Sequence, residues 1–199
     1  LARRANVDIV QAVATNYVVA AALAALLLGA TPRAALEARA TWAPLVLLGV
    51  LLPAIFLVLA RSVRSAGIVR TDVAQRLSLF VSLFAAFAFL GDTLTGPKIA
   101  GILLALVAVA CVLWRKDRGT AAQGGLLAPL AVFAGFGAID ISFKLVAQAG
   151  APFASALLAS FLIAMVLCWI AVIVRAAMGT APVAMRSIGF GALLGVANF

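Results

Sequence analysis

A few charged side chains lie inside apolar stretches of this sequence, and they mark where chemistry could occur. Asp140 and Lys144 lie within the apolar run of residues 126–148. A charge inside a membrane helix is costly and usually faces a cavity or a partner of opposite charge. In a functional interpretation, Lys144 contacts an anionic group of a substrate and Asp140 sets its charge or relays a proton. In a structural interpretation, the four-residue spacing forms an ion pair within one helix, or Lys144 extends to the nearby interface. Both interpretations stay open.

Asp72, Gln75 and Arg76 form a similar cluster at the start of another apolar run. Asp72 and Arg76 are also four residues apart, which again allows an ion pair on one helix face. The cluster is a candidate part of a substrate pathway. The sequence favours the alternative, in which these residues lie at the membrane–water interface, where charge is tolerated.

A third polar group lies near the N-terminus, where Gln11, Asn16 and Tyr17 share much of one helix face. Asn16 is deep enough in its apolar run to need a hydrogen-bond partner. A hydrogen bond from Asn16 or Tyr17 to a substrate is one interpretation. The sequence favours a hydrogen bond to a neighbouring helix instead.

Residue types that enzymes need are scarce in this chain. It contains no His, and Cys111 and Cys168 both lie in apolar runs, where they are interpreted as small core residues. Gly91, Gly96 and Lys98 resemble a phosphate-binding loop only faintly, because Pro97 separates the Gly from the Lys and a strand is needed before the loop. We therefore predict no enzyme activity, no metal and no cofactor.

The composition indicates a membrane protein. Hydrophobic residues make up 66% of the 199 residues and charged residues 11%, whereas soluble domains are near half apolar and a quarter charged. The net charge of +9 does not predict a nucleic-acid partner, because the cations lie between apolar runs, as the positive-inside bias requires. The predicted partners are the lipid bilayer and a small-molecule substrate, and the oligomeric state is left open.

The apolar runs predict an all-α, polytopic membrane fold in which seven helical segments are joined by short loops. The second segment contains Pro53, which should kink or break it. The four-residue spacing of Gly191 and Gly195 permits a close helix contact. The predicted segments are about Ile9–Gly29, Trp42–Ala60, Val69–Leu90, Lys98–Trp114, Leu126–Gln148, Pro152–Arg175 and a last one from near Arg186.

The turn between the third and fourth segments, GDTLTGP, contains the residues that stop one helix and start another. Gly91 can adopt the left-handed conformation at a helix end. Thr95 can cap the next helix, and Pro97 is tolerated only in its first turn. Residues 77–114 are thus predicted to form a helical hairpin.

Two segments of the chain align with each other. Residues 1–23 match residues 145–167 without a gap, so that Tyr17 meets Phe161, and Leu48-Gly49-Val50 then meets Leu194-Gly195-Val196. The alignment pairs the first predicted helix with the sixth, and because successive helices joined by short loops alternate in direction, the two copies run in opposite directions. Inverted repeats of this kind are typical of secondary transporters, whose substrate site lies at the repeat interface.

The stretch from Ser65 to Leu113 resembles the EamA-type drug/metabolite transporter superfamily. The motif behind the resemblance is Leu90-Gly91-Asp92-Thr93-Leu94-Thr95, in which Asp92 stands where that family usually has Glu. The resemblance implies ten helices in two inverted five-helix repeats. Residues 1–118 would then form the first repeat without its first helix, and residues 119–199 the start of the second. We accordingly expect a fragment that is truncated at both ends.

The resemblance also implies a function. A family member would be a multi-pass carrier of the inner (plasma) membrane that exports a small metabolite, such as an amino acid, or a drug by alternating access. A non-transporting membrane scaffold or receptor is the alternative. The family supplies no universal substrate motif, so the pathway candidates come from the residues alone: Asp140, Lys144, Asp72, Gln75, Arg76, Asn16 and Tyr17.

Overall fold

The computed structural model describes residues 7–37, 41–88, 95–114 and 126–198. Within these ranges the chain is helical and contains no strand, and four helices (α1, α3, α6 and α7) are long and apolar enough to cross a membrane. The predicted all-helical, polytopic membrane fold is confirmed. The helices are α1 (Ile9–Leu27), α2 (Arg33–Leu36), α3 (Trp42–Ala66), α4 (Ile68–Ala88), α5 (Gly96–Trp114), α6 (Leu127–Gln148), α7 (Phe153–Ala177) and α8 (Met185–Asn198).

Two features of the helix boundaries differ from the sequence prediction. The short helix α2 was not predicted, although Pro32 directly before it is typical of a helix start. Helix α3 is not broken at Pro53 and continues to Ala66, so that Arg61 and Arg64 are helical. The chain then turns into α4 at Gly67, whose positive φ of 88° favours glycine.

The helical hairpin of α4 and α5 is present, and the two helices pack against each other. Helix α5 begins at Gly96, so Pro97 lies in its first turn, as predicted. The carbonyl of Thr95 accepts a hydrogen bond from the N–H of Ile99, which places Thr95 at the cap position. Gly91 and Asp92 lie outside the described residues.

The chain divides into two compact units, Leu1–Ala54 with Ser142–Phe199, and Ile55–Ile141. In the first unit, α1 packs against both α7 and α8. The start of α1 is bonded to Arg175 in the last turn of α7, so these two helices are antiparallel. The buried residues of α1 and α7 are mostly small, which lets their backbones approach closely.

Glycines make close helix contacts in the first unit. A Cβ on Gly191 would lie 2.3 Å from the carbonyl oxygen of Ala12, and one on Gly195 would lie 2.7 Å from the Cβ of Val19. These distances confirm the predicted close contact of this pair of glycines with a neighbouring helix. A Cβ on Gly49 of α3 would lie 2.6 Å from the Cβ of Ile163 on α7.

In the second unit, two glycines of α6 also make close contacts with neighbouring helices. A Cβ on Gly135 would lie 2.6 Å from Cδ1 of Ile55, and one on Gly137 would lie 3.2 Å from Cγ1 of Val81 on α4. At the corner between α3 and α4, the buried hydroxyls of Ser62 and Thr71 are hydrogen-bonded at 2.7 Å. Glycine contacts thus bring α6 against α3 and α4 within this unit.

Candidate functional site

Asp8 caps the start of α1 and joins it to α7. Its Oδ1 accepts hydrogen bonds from the backbone N–H groups of Val10 (2.9 Å) and Gln11 (3.1 Å), which otherwise have no partner within the helix. The guanidinium of Arg175 donates to the same carboxylate through two nitrogens, Nη1 to Oδ1 at 3.1 Å and Nη2 to Oδ2 at 2.9 Å. Such a two-pronged pair fixes both the distance and the orientation of the two helix ends.

The same region of α1 also holds the start of α8. The backbone N–H of Asp8 donates to Oγ of Ser187 at 3.0 Å. The side-chain amide of Gln11 donates to the carbonyl of Pro182 and accepts from the N–H of Ala184, both at 2.9 Å. We call the set Asp8, Gln11, Arg175 and Ser187 the polar joint. It connects the start of α1, the end of α7 and the start of α8.

Electrostatics favour the ionised form of Asp8. Partial burial raises the pKa of this carboxyl, but the hydrogen bond and charge of Arg175, with the two backbone N–H groups, lower it more, so the net pKa is below its usual value. Asp8 is therefore a carboxylate at neutral pH. Its negative charge also suits the positive end of the α1 dipole.

Asn16 is the most unusual polar residue of the first unit. Its side chain is fully buried, and neither its amide nitrogen nor its oxygen has a hydrogen-bond partner among the residues that the structure describes. The predicted hydrogen bond from Asn16 to a neighbouring helix is not formed there. The aligned residue on α7, Ser160, is equally buried, but its hydroxyl donates to the carbonyl of Ala156 at 2.8 Å. An unpaired buried amide costs about 1–3 kcal/mol.

Tyr17 follows Asn16 in the chain and is also almost fully buried. Its ring contacts the ring of Phe161 on α7, with the two centroids 5.8 Å apart and the planes tilted by 47°. Tilted aromatic pairs at this separation are favourable. Helix α1 runs from Ile9 to Leu27, so Tyr17 lies near its middle, and the ring contact packs this part of α1 against α7.

In the second unit, Arg76 and Asp72 form the predicted ion pair within one helix. Nε of Arg76 lies 2.8 Å from Oδ2 of Asp72, and the two side chains are 58% and 42% exposed. Gln75 is partly buried, and its backbone carbonyl accepts a hydrogen bond from Ser78. Because both side chains are this exposed, solvent screens the attraction between them, and the pair contributes little to stability.

Asp140 and Lys144 both lie on α6 and are partly buried. The ion pairs found among the described residues are Arg33–Glu37, Arg76–Asp72 and Arg175–Asp8, so Asp140 takes part in none of them. Asp140 is the fourteenth residue of a 22-residue span, and it places a carboxylate inside an apolar helix.

Comparison with known proteins identifies the family. Residues 1–114 match the EamA-like transporter family. A protein of Haemophilus influenzae that is described as uncharacterized is 38% identical over 207 aligned residues, which cover all of this chain and 69% of that protein. The chain belongs to the EamA-like transporter family. No solved structure matches it.

Family membership places this EamA-like chain among membrane transporters of small molecules. In the described part of the chain, no three His, Cys, Asp or Glu side chains come together in a way that could hold a metal ion. Cys168 is a buried free thiol on α7. The polar groups described above are thus the ones to consider for transport.

Sequence reasoning missed most of the polar joint of this EamA-like protein. One signal was present, since Asp8 followed three residues later by Gln11 directly before an apolar run is typical of a capped helix start. No local signal pairs Asp8 with Arg175, because 167 residues separate them. The pair becomes visible only when α1 and α7 are packed together.

Proposed function

We propose that this protein is a secondary transporter of the inner (plasma) membrane, which exports a small metabolite, such as an amino acid, or a drug by alternating access. The proposal includes two inverted repeats, residues 1–118 and 119–199, of which this chain holds parts. In transporters built from inverted repeats, one repeat rocks against the other around a site near the middle of the membrane.

The observation that carries the proposal is a pair of equivalent glycine contacts. Gly49 contacts Ile163, and Gly195 contacts Val19. In the internal alignment Gly49 corresponds to Gly195, and Val19 corresponds to Ile163. Each contact is therefore the counterpart of the other when the two copies are exchanged, as an inverted repeat requires.

The Tyr17–Phe161 ring contact supports the same symmetry. These residues align with each other, so their contact is its own counterpart when the copies are exchanged. A contact between two equivalent residues lies on the rotation axis that relates the two copies of a repeat. The antiparallel packing of α1 and α7 agrees with that axis.

For the substrate or ion pathway, we propose Asp140 and Lys144. Ionisable residues inside membrane spans usually mark such pathways, because their cost is otherwise not offset. Asp140 has no ion-pair partner among the described residues, so its carboxylate is available to a proton or a cationic group of the substrate. Lys144, one turn further along the helix, would contact an anionic group. An amino acid-like substrate carries both charges.

The test is export from proteoliposomes that contain the full-length protein, screened with amino acids, nucleosides and cationic drugs. Once a substrate is found, Asp140→Asn is expected to lower its transport rate at least tenfold, because the amide cannot take up a proton. Lys144→Ala should raise the KM for an anionic substrate. The matched control is Glu37→Gln, which removes an exposed acid from a surface ion pair and should leave transport unchanged.

Unchanged transport in both Asp140→Asn and Lys144→Ala would remove these residues from the pathway. If no solute of the screen is transported by the wild-type protein, the alternative function, a non-transporting scaffold or receptor, becomes the better explanation.

Asn16 offers a second test, with an internal control. An amide without a partner in this conformation is available to a substrate or to a bond made in another conformation. Asn16→Ala is expected to slow transport several-fold. Ser160→Ala removes the buried polar group at the aligned position, which is already bonded within its own helix, and should have little effect.

A further inference from the structure

A groove in the second unit lies between the end of α3 and the start of α6. Its volume is about 300 Å³, and it is lined by Val58, Arg61 and Ser65 of α3 together with Leu127, Ala128 and Ala131 of α6. The three α3 residues are spaced by three and four positions and therefore lie on one face of the helix. The groove has four apolar side chains, one hydroxyl and one cation.

Arg61 is the only charged residue of this lining. Arg61 makes no hydrogen bond or ion pair with the residues that the structure describes, and it is exposed. Arg64 and Arg70 lie on the same corner and are exposed too. Arg64 differs from Arg61, because its Nε donates to the carbonyl of Ala60 and it does not line the groove.

The length of α3 leads us to expect the polar part of the groove at the depth of lipid headgroups. Helix α3 has 25 residues. At 1.5 Å per residue its length is about 37 Å, which exceeds the hydrocarbon core of about 30 Å by roughly one turn or more. Arg61 and Ser65 lie in the last turns of α3, and Leu127 and Ala128 lie in the first turn of α6. Val58 and Ala131 are one turn deeper, toward the apolar core.

We propose that this groove binds an anionic phospholipid. The phosphate lies against Arg61, with Ser65 at the same end, and the first methylenes of an acyl chain lie along Val58 and Ala131. The arrangement of charge at the membrane surface and apolar surface below it is complementary to such a lipid, and basic pockets between membrane helices are known to take anionic headgroups. The volume is too small for a whole lipid, so the rest of the acyl chains lie on the outer surface of the helices.

The test measures thermal unfolding of the purified full-length protein in a neutral detergent, with phosphatidylglycerol, phosphatidylcholine or inorganic phosphate added. We expect phosphatidylglycerol to raise the unfolding temperature and the other two to have no comparable effect. In Arg61→Gln the concentration of phosphatidylglycerol needed for half of the shift should rise about tenfold, since a hydrogen bond to a charged group is lost. Arg64→Gln, with the same change of charge one turn away, should stay within about twofold of wild type.

A third variant tests the apolar part of the groove. Ala131→Phe fills the groove and leaves every charge in place, and because Ala131 is exposed the change is compatible with folding. It should weaken the effect of phosphatidylglycerol as strongly as Arg61→Gln does, and native mass spectrometry should show fewer bound lipids in both variants.

Three results would overturn the proposal. An equal loss in Arg61→Gln and Arg64→Gln would mean that the corner attracts lipid by diffuse charge only. An unchanged response in Ala131→Phe would place the lipid elsewhere. Stabilisation by inorganic phosphate as strong as that by phosphatidylglycerol would make the groove a site for a free anion.

Discussion

The two ends of the α1–α7 pair are built differently, although the sequences of the two helices align. Asp8 starts α1, and its side chain caps two N–H groups, while the aligned residue, Pro152, starts α7 with no side-chain cap. At the Asp8 end the polar joint ties three helices together. At the other end, Leu26, Leu27 and Leu28 at the end of α1 are exposed.

The middle of the pair does not show this difference. The glycine contacts at Gly49 and Gly195 correspond to each other, and Tyr17 contacts its aligned residue Phe161. Close packing of small residues therefore sets how the helices fit, and the polar joint adds strength at the Asp8 end.

The largest effect is expected from Gly191→Ala. Its new Cβ would lie 2.3 Å from the backbone oxygen of Ala12 and 2.8 Å from the Cα of Ala12, so α8 must move away from α1. Overpacking of this kind costs about 1–3 kcal/mol or more. The measurement is the free energy of unfolding in mixed detergent micelles.

Gly189→Ala is the matched control for Gly191→Ala. It makes the same change on the same helix, where a Cβ would meet nothing within 4 Å. Equal destabilisation by the two variants would show that the α1–α8 contact is not close in the native protein.

The second largest effect on the free energy of unfolding is expected from breaking the polar joint. Arg175→Gln is expected to lower the free energy of unfolding by about 1–2 kcal/mol, because it leaves the Asp8 carboxylate without its charged partner. Asp8→Asn should have a similar effect, and the double variant should cost little more than either single one. Additive effects in this double-mutant cycle would mean that the two residues do not interact.

The contribution of Asp8 should depend on pH. Since its pKa is lowered in the folded protein, the carboxylate stabilises the fold at pH values above the pKa of an unfolded Asp, about 3.9, and this stabilisation is lost as the pH falls through the lower folded value. The difference in unfolding temperature between wild type and Asp8→Asn should therefore be constant near neutral pH and shrink below about pH 4. A difference that grows on acidification would contradict the assigned ion pair.

The smallest effect is expected from Asp72→Asn on α4. Its ion pair has nearly the same length as that of Asp8, but it joins residues four apart on one helix and is about half exposed. Solvent-exposed pairs of this kind contribute little to stability. A loss as large as that in Asp8→Asn would show that burial and long-range connection are not what distinguishes the two pairs.

The difference between contacts within one helix and contacts between distant helices explains what could be predicted from the sequence. The Asp72–Arg76 pair follows from helical spacing alone, and the apolar runs predict most helix boundaries to within a few residues. The Asp8–Arg175 pair depends on how α1 and α7 pack, which no local pattern encodes. The continuity of α3 through Pro53 also depends on its surroundings, since neighbouring helices can tolerate a proline in a membrane span. The hydrogen bond predicted for Asn16 was wrong for the described residues, because burial of an amide does not itself supply a partner.

The polar joint also has a consequence for the order of biosynthesis. Asp8 leaves the ribosome 167 residues before Arg175, a delay of roughly 8–33 s at about 5–20 residues per second. During this interval its carboxylate must be hydrated at the membrane surface, because the guanidinium that neutralises it has not yet been made. Ala184, whose N–H donates a hydrogen bond to the side-chain oxygen of Gln11, is made later still. Insertion of α1 must therefore leave its first turn accessible until α7 and α8 arrive.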